Sequence, residues 1–232
     1  MSDAFRRLAH AGLTFNAPLS EERAAELVRA LPISPGHHVL DLGCGWAELL
    51  LRILAAHPAT TGTGVDTSRE ALARGLRTAA QRGLHERVEL VEAPADTFVD
   101  VAGVVLCVAS AHAFGGHVPA LEALRQRVTP GGRVLFADGV WADDPSERAL
   151  AAIGELPGPV ELEAAARDAG FGIEHALSSS QQEWDAFEAA WRSGLESSGD
   201  PAAATFAAER RREYEGGYRE AIGFAWLVLV PV

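Results

Sequence analysis

Apolar and polar positions alternate in a regular way along the chain up to Trp141. Short runs that are almost entirely apolar are separated by stretches in which apolar residues recur at helical spacing. Strands that are apolar on both sides are typical of a parallel sheet covered by helices on both faces. The pattern therefore predicts an α/β fold with a doubly wound, mostly parallel sheet.

The pattern changes beyond Trp141. A strand candidate at 172–180 and an apolar strand at 222–232 are separated by two helical stretches, which are joined by the polar break "SSGDP". We therefore expect an extra helical pair at 181–220, between the sixth and seventh strands. The length of 232 residues favours a single domain. Its expected parts are an N-terminal helical cover at 1–31, a ligand-binding core at 32–141 and a C-terminal part at 142–232.

Composition and charge exclude several classes of function. A net charge of −12 argues against a nucleic-acid partner, which would need a basic face. The absence of lysine excludes Schiff-base chemistry, a pyridoxal phosphate anchor and a P-loop. No apolar run is long enough for a membrane span or a signal peptide, so we expect a cytoplasmic protein without membrane contact. Cys44 and Cys107 lie in apolar runs and are expected to be buried thiols, with no metal site.

A glycine pair follows the first predicted strand, in the stretch "DLGCGWAE". Glycines at the carboxyl end of a strand let the backbone approach a ligand closely. A dinucleotide site would show G-x-G-x-x-G and would avoid an anion beside the diphosphate. Here Asp41 precedes Gly43 and Gly45, and Glu48 follows them. A carboxylate at this place suits a ligand with an ammonium group better than a diphosphate.

These residues resemble the first motif of the class I S-adenosylmethionine-dependent methyltransferases, in which an acid precedes a run of spaced glycines. Asp41, Gly43 and Gly45 match it, and Ala47 replaces the third glycine. Asp66 ends the second strand, about 20 residues further on, where an acid can reach a ribose hydroxyl. The stretch "VTPGGRVLFADGVW" resembles the family's fifth strand and the turn before it. The resemblance implies a Rossmann-like sheet of seven strands whose last strand is antiparallel.

The resemblance also implies a cofactor and its contacts. The cofactor would be S-adenosyl-L-methionine, with S-adenosyl-L-homocysteine as the product. Pro94 stands where the family often has an acid beside the adenine, so Asp96 is expected to contact the amino group and the backbone at Ala95 the ring. The expected cofactor-binding residues are Asp41, Gly43, Cys44, Gly45, Asp66, Thr67, Ala95, Asp96, Val108 and Ala109.

Residues that follow the fourth strand commonly face the methyl group in this family. His112 is the residue there whose pKa suits proton removal near neutrality, so it is the catalytic candidate. A loop histidine can also be purely structural, and His117 is a weaker candidate. Aromatic side chains could form the walls of an acceptor pocket, although most aromatic residues at helical spacing belong to the core. The candidate wall residues are Phe15, Trp46, Phe114, Trp141, Tyr214 and Tyr218.

The function expected from this reading is methyl transfer to an oxygen or nitrogen atom of a small molecule. The composition, rich in arginine and alanine and free of lysine, is typical of bacteria with GC-rich genomes, where such enzymes often serve specialised metabolism. Two alternatives remain at this point: a non-catalytic protein that binds S-adenosylmethionine for regulation, and an NAD-dependent oxidoreductase. The extra helices could cover an acceptor pocket or form the contact of a homodimer.

Overall fold

The structure is a computed structural model that describes residues 2–232, apart from the side chain of residue 3. The strands are β1 (His38–Leu42), β2 (Thr61–Asp66), β3 (Val88–Glu92), β4 (Ala102–Val108), β5 (Val128–Trp141), β6 (Phe171–Ser178) and β7 (Ile222–Pro231). The helices are α1 (Asp3–His10), α2 (Glu21–Ala30), α3 (Glu48–Ala56), α4 (Arg69–Gln81), α5 (His117–Arg127), α6 (Glu147–Ile153), α7 (Pro159–Asp168), α8 (Gln181–Glu196) and α9 (Pro201–Glu213). Two short elements complete the chain, a 3-10 turn (Ala111–Phe114) and a π turn (Tyr214–Tyr218). In this described part of the chain, no helix combines the length and apolar character needed to cross a membrane.

The strands form one sheet of seven in the order β3-β2-β1-β4-β5-β7-β6, with β7 antiparallel. Parallel pairing is continuous from β3 through β2, β1 and β4 to β5. The strand order reverses beside β1, and in such sheets ligands bind at the carboxyl ends of the strands at that point. The predicted fold class is therefore confirmed, including the antiparallel last strand and the extra helices before it.

The chain divides into two compact units. The first, called the sheet unit below, comprises Glu21–Asp138, Val160–Leu177 and Ala225–Val232. The second, called the helical unit, comprises residues 2–20, Gly139–Pro159 and Ser178–Phe224. The expectation of a single domain over 1–232, with its three sequence segments, stays a prediction.

The core of the sheet unit follows from its nearly continuous apolar strands. No exposed surface remains on the strand residues Leu40, Leu42, Leu106 and Phe136. The apolar residues of α3 from Leu50 to Leu54 are buried to the same extent. Burial of each such side chain contributes about 1.5–3 kcal/mol. This core fixes the strand ends that carry the predicted cofactor residues.

The predicted turn at 129–132 is part of β5 instead. Ala102 of β4 lies opposite Val128, whereas Val104 already lies opposite Arg133, so the "TPGG" residues form a bulge in the strand. A Cβ on Gly132 would lie 2.5 Å from the carbonyl oxygen of Gly103, which explains why this position needs glycine. The turn signal in the sequence therefore marks an irregularity within the strand.

The helical stretches predicted at 181–220 are α8, α9 and the π turn. Ser180 and Glu183 form a capping box at the start of α8. After the break, Asp200 caps α9 by accepting a hydrogen bond from the amide of Ala202 at 2.8 Å. Local capping signals in the sequence thus define where the two helices begin.

Candidate cofactor site and catalytic turn

The loop between β1 and α3 is folded back against β2. The amides of Gly43 and Cys44 both donate to the carbonyl oxygen of Val65, at 2.8 and 3.0 Å. Gly43 has φ +77°, and a Cβ there would lie 2.3 Å from Cβ of Ser110. Gly45 has φ +55°, and apart from Gly45 itself and its two chain neighbours no described atom lies within 4 Å of the place a Cβ would occupy. Gly43 is thus required for packing, whereas Gly45 leaves its backbone open to a ligand.

Asp66, at the end of β2, holds this loop through backbone amides. Its Oδ2 accepts from the amide of Gly45 at 2.8 Å, and its Oδ1 accepts from the amide of Ser68 at 2.8 Å. Each carboxylate oxygen can accept a further hydrogen bond. The side chain therefore has the acceptors that a pair of ribose hydroxyls requires.

Asp41 is a buried acid, with 5% of its surface exposed. Burial, and secondly the charge of Asp66, raises the pKa of Asp41 to about 8. Across residues 2–232 its carboxyl group forms no hydrogen bond and no ion pair. An acid kept in such a place is stabilised in its charged form by a cation. The site therefore fits a ligand that carries an ammonium group, as the sequence motif implies.

The ends of β2, β3 and β4 bring the remaining predicted cofactor residues to the same edge of the sheet. Ala95 is buried, whereas Asp96 and Thr67 are exposed. Ala109 has φ +55°, and its amide donates to the carbonyl oxygen of Ala137 at 2.7 Å. Val108, the last residue of β4, is half-buried. These positions are compatible with cofactor contact, and their individual roles stay predictions.

The 3-10 turn after β4 presents His112 to solvent. Ser110, at its start, donates from Oγ to the carbonyl oxygen of Leu42 at 2.7 Å, and its Oγ lies 3.2 Å from Sγ of Cys107. Oδ2 of Asp138 accepts from the amide of Ala111 at 3.0 Å. The turn is therefore fixed from both sides, by β1 and by β5, while the imidazole of His112 remains accessible.

Known proteins share this architecture. A model of the methyltransferase domain family matches residues 40–134. The uncharacterized protein YjhP of Escherichia coli is 35% identical over 211 residues, which cover 84% of this chain and 82% of YjhP. The crystal structure of YjhP superposes with a TM-score of 0.88 over 98% of this chain and 99% of its own, at 27% identity.

A methyltransferase from Geobacter sulfurreducens provides the second structural comparison. Its crystal structure, a complex with S-adenosyl-L-homocysteine, covers 100% of this chain and 99% of its own, with a TM-score of 0.89 and 27% identity. This chain belongs to the class I S-adenosylmethionine-dependent methyltransferases. It is therefore an enzyme whose methyl donor is S-adenosyl-L-methionine. The family assignment removes the oxidoreductase and the non-catalytic alternatives.

The aromatic residues predicted as pocket walls lie in different surroundings within the methyltransferase. In the sheet unit, Trp46 is buried under the guanidinium of Arg74, 4.1 Å from the ring centre, and Phe114 is half-buried. In the helical unit, Phe15 is buried. Trp141, Tyr214 and Tyr218 share one hydrophobic cluster with Ala149, Ala221 and Ile222.

Both tyrosine hydroxyls are already engaged inside the helical unit. Tyr214 donates to Oδ1 of Asp185 at 2.9 Å, and Tyr218 donates to Oε1 of Glu188 at 3.4 Å. Trp141 donates from its indole nitrogen to the carbonyl oxygen of Gly154 at 3.2 Å. These contacts give the three residues a structural role, and contact with an acceptor stays a prediction for them.

Two residues of the site were missed by the sequence reasoning. Ser110 and Asp138 hold the 3-10 turn after β4 by hydrogen bonds to backbone groups, which no motif records. Asp138 could have been noticed as a lone acid near the carboxyl end of a predicted buried strand. For Ser110 there is no such signal, since its partner Leu42 is 68 residues away.

Proposed function

We propose that this methyltransferase methylates an oxygen or nitrogen atom of a small molecule and that His112 orients or deprotonates the acceptor. The observation that carries the proposal is the fixed 3-10 turn, which presents an accessible imidazole directly after β4. It is supported by the position of the turn beside the strand ends that carry Asp41 and Asp66. A neutral imidazole nitrogen at this place can accept the proton that a hydroxyl or ammonium group must lose before it becomes a nucleophile.

The proposed cofactor contacts divide by chemistry. S-adenosyl-L-methionine supplies an electrophilic methyl group on its sulfonium. Asp41 is proposed to hold the ammonium group, and Asp66 the ribose hydroxyls through the lone pairs that the amides of Gly45 and Ser68 leave free. Ala95 and Asp96 are proposed to contact the adenine. Further backbone and side-chain contacts are assigned to Gly43, Cys44, Gly45, Thr67, Val108 and Ala109.

The acceptor is proposed to be neutral or cationic, because the chain has a net charge of −12. The same charge disfavours a nucleic-acid substrate. Trp46 and Phe114 are proposed as apolar walls in the sheet unit. A role in bacterial specialised metabolism, a cytoplasmic location and a homodimer remain part of the proposal on composition alone.

The test is methyl transfer from labelled S-adenosyl-L-methionine to a panel of small hydroxyl and amine acceptors. With an acceptor that turns over, His112→Ala is expected to lower kcat about 100-fold or more. The affinity for S-adenosyl-L-homocysteine, measured by calorimetry, is expected to stay unchanged. His85→Ala, which changes an exposed histidine in the loop between α4 and β3, is the matched control. Full turnover of His112→Ala over the neutral pH range would show that alignment alone drives the reaction.

A further inference from the structure

Arg127, the last residue of α5, is a buried arginine whose guanidinium is bound by carbonyl oxygens. Its Nε donates to Phe98 at 2.6 Å, its Nη2 to Asp96 at 2.7 Å and its Nη1 to Ala123 at 2.8 Å. Among residues 2–232 it has no carboxylate within ion-pair distance. Desolvation lowers the pKa of Arg127, and the charge of Asp96 opposes this.

Two of these carbonyls belong to the loop between β3 and β4, which carries the proposed adenine contacts. The loop has few other anchors: the amide of Ala93 donates to the carbonyl of Asp66 at 3.2 Å, and Thr97 donates to the carbonyl of Pro94 at 3.0 Å. Near its end, Val99 is 72% exposed, so apolar burial does little to hold that part of the loop. The conformation of the peptide at Asp96 therefore depends on Arg127.

The sequence indicates why the dependence of this loop on Arg127 matters for cofactor binding. Pro94 occupies the place where the family often has an acid beside the adenine, so recognition of the base relies on Asp96 and on the backbone at Ala95. A guanidinium is a rigid, planar group of donors that can fix several carbonyl groups in one geometry. The compact ammonium group of a lysine cannot do this. The same guanidinium lies 5.8 Å from the ring centre of Phe114, at the end of the 3-10 turn that carries His112.

We propose that Arg127 is a positioning residue that sets the selectivity of the cofactor site for adenine. By fixing the carbonyls of Asp96 and Phe98, it holds the loop so that Asp96 faces the 6-amino group. The proposal rests on the proposed adenine contacts and is independent of the acceptor and of His112. Loss of the guanidinium frees the loop, and the contact with the amino group is then made only part of the time.

The experiment compares two ligands by calorimetry: S-adenosyl-L-homocysteine and S-inosyl-L-homocysteine, in which an oxo group replaces the 6-amino group. The unaltered protein is expected to prefer the adenine compound about tenfold, the effect of one hydrogen bond to a charged group. In Arg127→Met the ratio of the two dissociation constants is expected to fall towards one, mainly through weaker binding of the adenine compound. Arg127→Lys, which keeps the charge, is expected to give an intermediate ratio.

Arg125→Met is the matched control. Arg125 lies on the same helix and also donates to carbonyl oxygens, those of Gly170 and Val232 at 3.1 and 3.2 Å, but not to the adenine-side loop. Its ratio is expected to equal that of the unaltered protein. A purely structural role of Arg127 would weaken both ligands equally and leave the ratio unchanged, which overturns the proposal.

Two further outcomes also decide against it: equal binding of both ligands by the unaltered protein, and an equal loss of selectivity in Arg125→Met. If Arg127→Met does not fold, as circular dichroism will show, the ratio in Arg127→Lys decides. Failure of the unaltered protein to bind S-adenosyl-L-homocysteine at all would instead refute the adenine contacts themselves, and so is distinguishable.

Discussion

Two buried acids, one in each unit, have different surroundings. At the strand ends of the sheet unit, Asp41 is 5% exposed and has no hydrogen-bond or ion-pair partner within residues 2–232. On α8 of the helical unit, Glu188 is fully buried and is surrounded by donors. Both carboxyl groups are shielded from solvent, but only that of Glu188 accepts hydrogen bonds from donors in the described part of the chain.

The partners of Glu188 come from two helices and the π turn. Arg210 of α9 donates to both carboxylate oxygens, at 3.0 and 2.6 Å. Tyr218 donates at 3.4 Å, and Nη1 of Arg192 lies 3.6 Å away. Nearby on α8, Asp185 pairs with Arg219 at 2.7 Å, and hydrogen bonds from Arg219 and Tyr214 lower the pKa of Asp185 to about 2. The acids of the helical unit therefore join its helices.

A buried acid without a partner costs free energy, typically several kcal/mol when it is charged. Asp41 has no such partner among the described residues of the sheet unit, whereas Arg210 of α9 pairs with Glu188 and so links α9 to α8. The contrast separates the side chain that we propose to bind a ligand from one that stabilises the fold. It also makes the two acids respond in opposite ways to substitution.

The largest effect is expected for Glu188→Ala. Removing one partner of a buried ion pair leaves the other charges unpaired, which typically costs about 3–5 kcal/mol of the free energy of unfolding. Glu196→Ala is the matched control, because Glu196 also pairs with an arginine of α9, Arg211, at 3.4 Å but is 44% exposed. The control is expected to lose less than about 1 kcal/mol. Urea unfolding of both variants measures this, and equal losses would abolish the contrast between the two regions.

The next effect concerns ligand affinity. Asp66→Ala is expected to weaken binding of S-adenosyl-L-homocysteine about tenfold or more, since hydrogen bonds to a charged group contribute about 1.5–3 kcal/mol. Asp100→Ala, which changes an exposed acid of the loop before β4, serves as the control. Calorimetry measures both dissociation constants. Unchanged affinity in a folded Asp66→Ala protein would remove Asp66 from the cofactor site.

The sequence predicts one side of the comparison better than the other. Asp41, Gly43, Gly45 and Asp66 are recognisable because their proposed roles depend on short spacings next to strands. Local signals of the same kind locate the capping residues of the helices. The partners of Glu188 are more than twenty positions away along the chain, apart from Arg192 on its own helix. Their identity follows only from how the helices pack.

Close contacts between backbone and side chains cannot be predicted from the sequence, for the same reason. Gly43 is predicted from its motif as a cofactor contact, and the structure adds that a Cβ there would meet Ser110. The predicted turn at 129–132 is a bulge in β5, where a Cβ on Gly132 would meet the carbonyl oxygen of Gly103. Trp141 is predicted as a wall residue from its place at a strand end, and the structure packs it in an apolar cluster of the helical unit. Residue type and spacing indicate what a position can do, whereas packing decides which of those roles it performs.

Measured over a single pH unit, the smallest expected effect is the pH dependence of stability that Asp41 causes. Because burial raises the pKa of Asp41 to about 8, the folded protein keeps a proton that the unfolded chain releases above its ordinary carboxyl pKa. Raising the pH from about 5 to about 8 should therefore destabilise the unaltered protein relative to Asp41→Asn, by about 1.4 kcal/mol per pH unit. Urea unfolding at several pH values measures the difference, in which all other titrating groups cancel.

The same measurement of pH dependence, repeated with the protein saturated with S-adenosyl-L-homocysteine, tests whether Asp41 pairs with the ligand. If the ligand's ammonium group pairs with Asp41, it favours the ionised carboxylate and lowers the pKa of Asp41 in the complex. The difference between the unaltered protein and Asp41→Asn should then depend less on pH, and the affinity of the unaltered protein should rise with pH until the free group is ionised. Parallel stability curves for the two proteins without ligand would mean that Asp41 is ionised when buried. Asp41 would then need a partner inside the fold, as Glu188 has. The buried acids of the two regions would no longer differ in how they are stabilised.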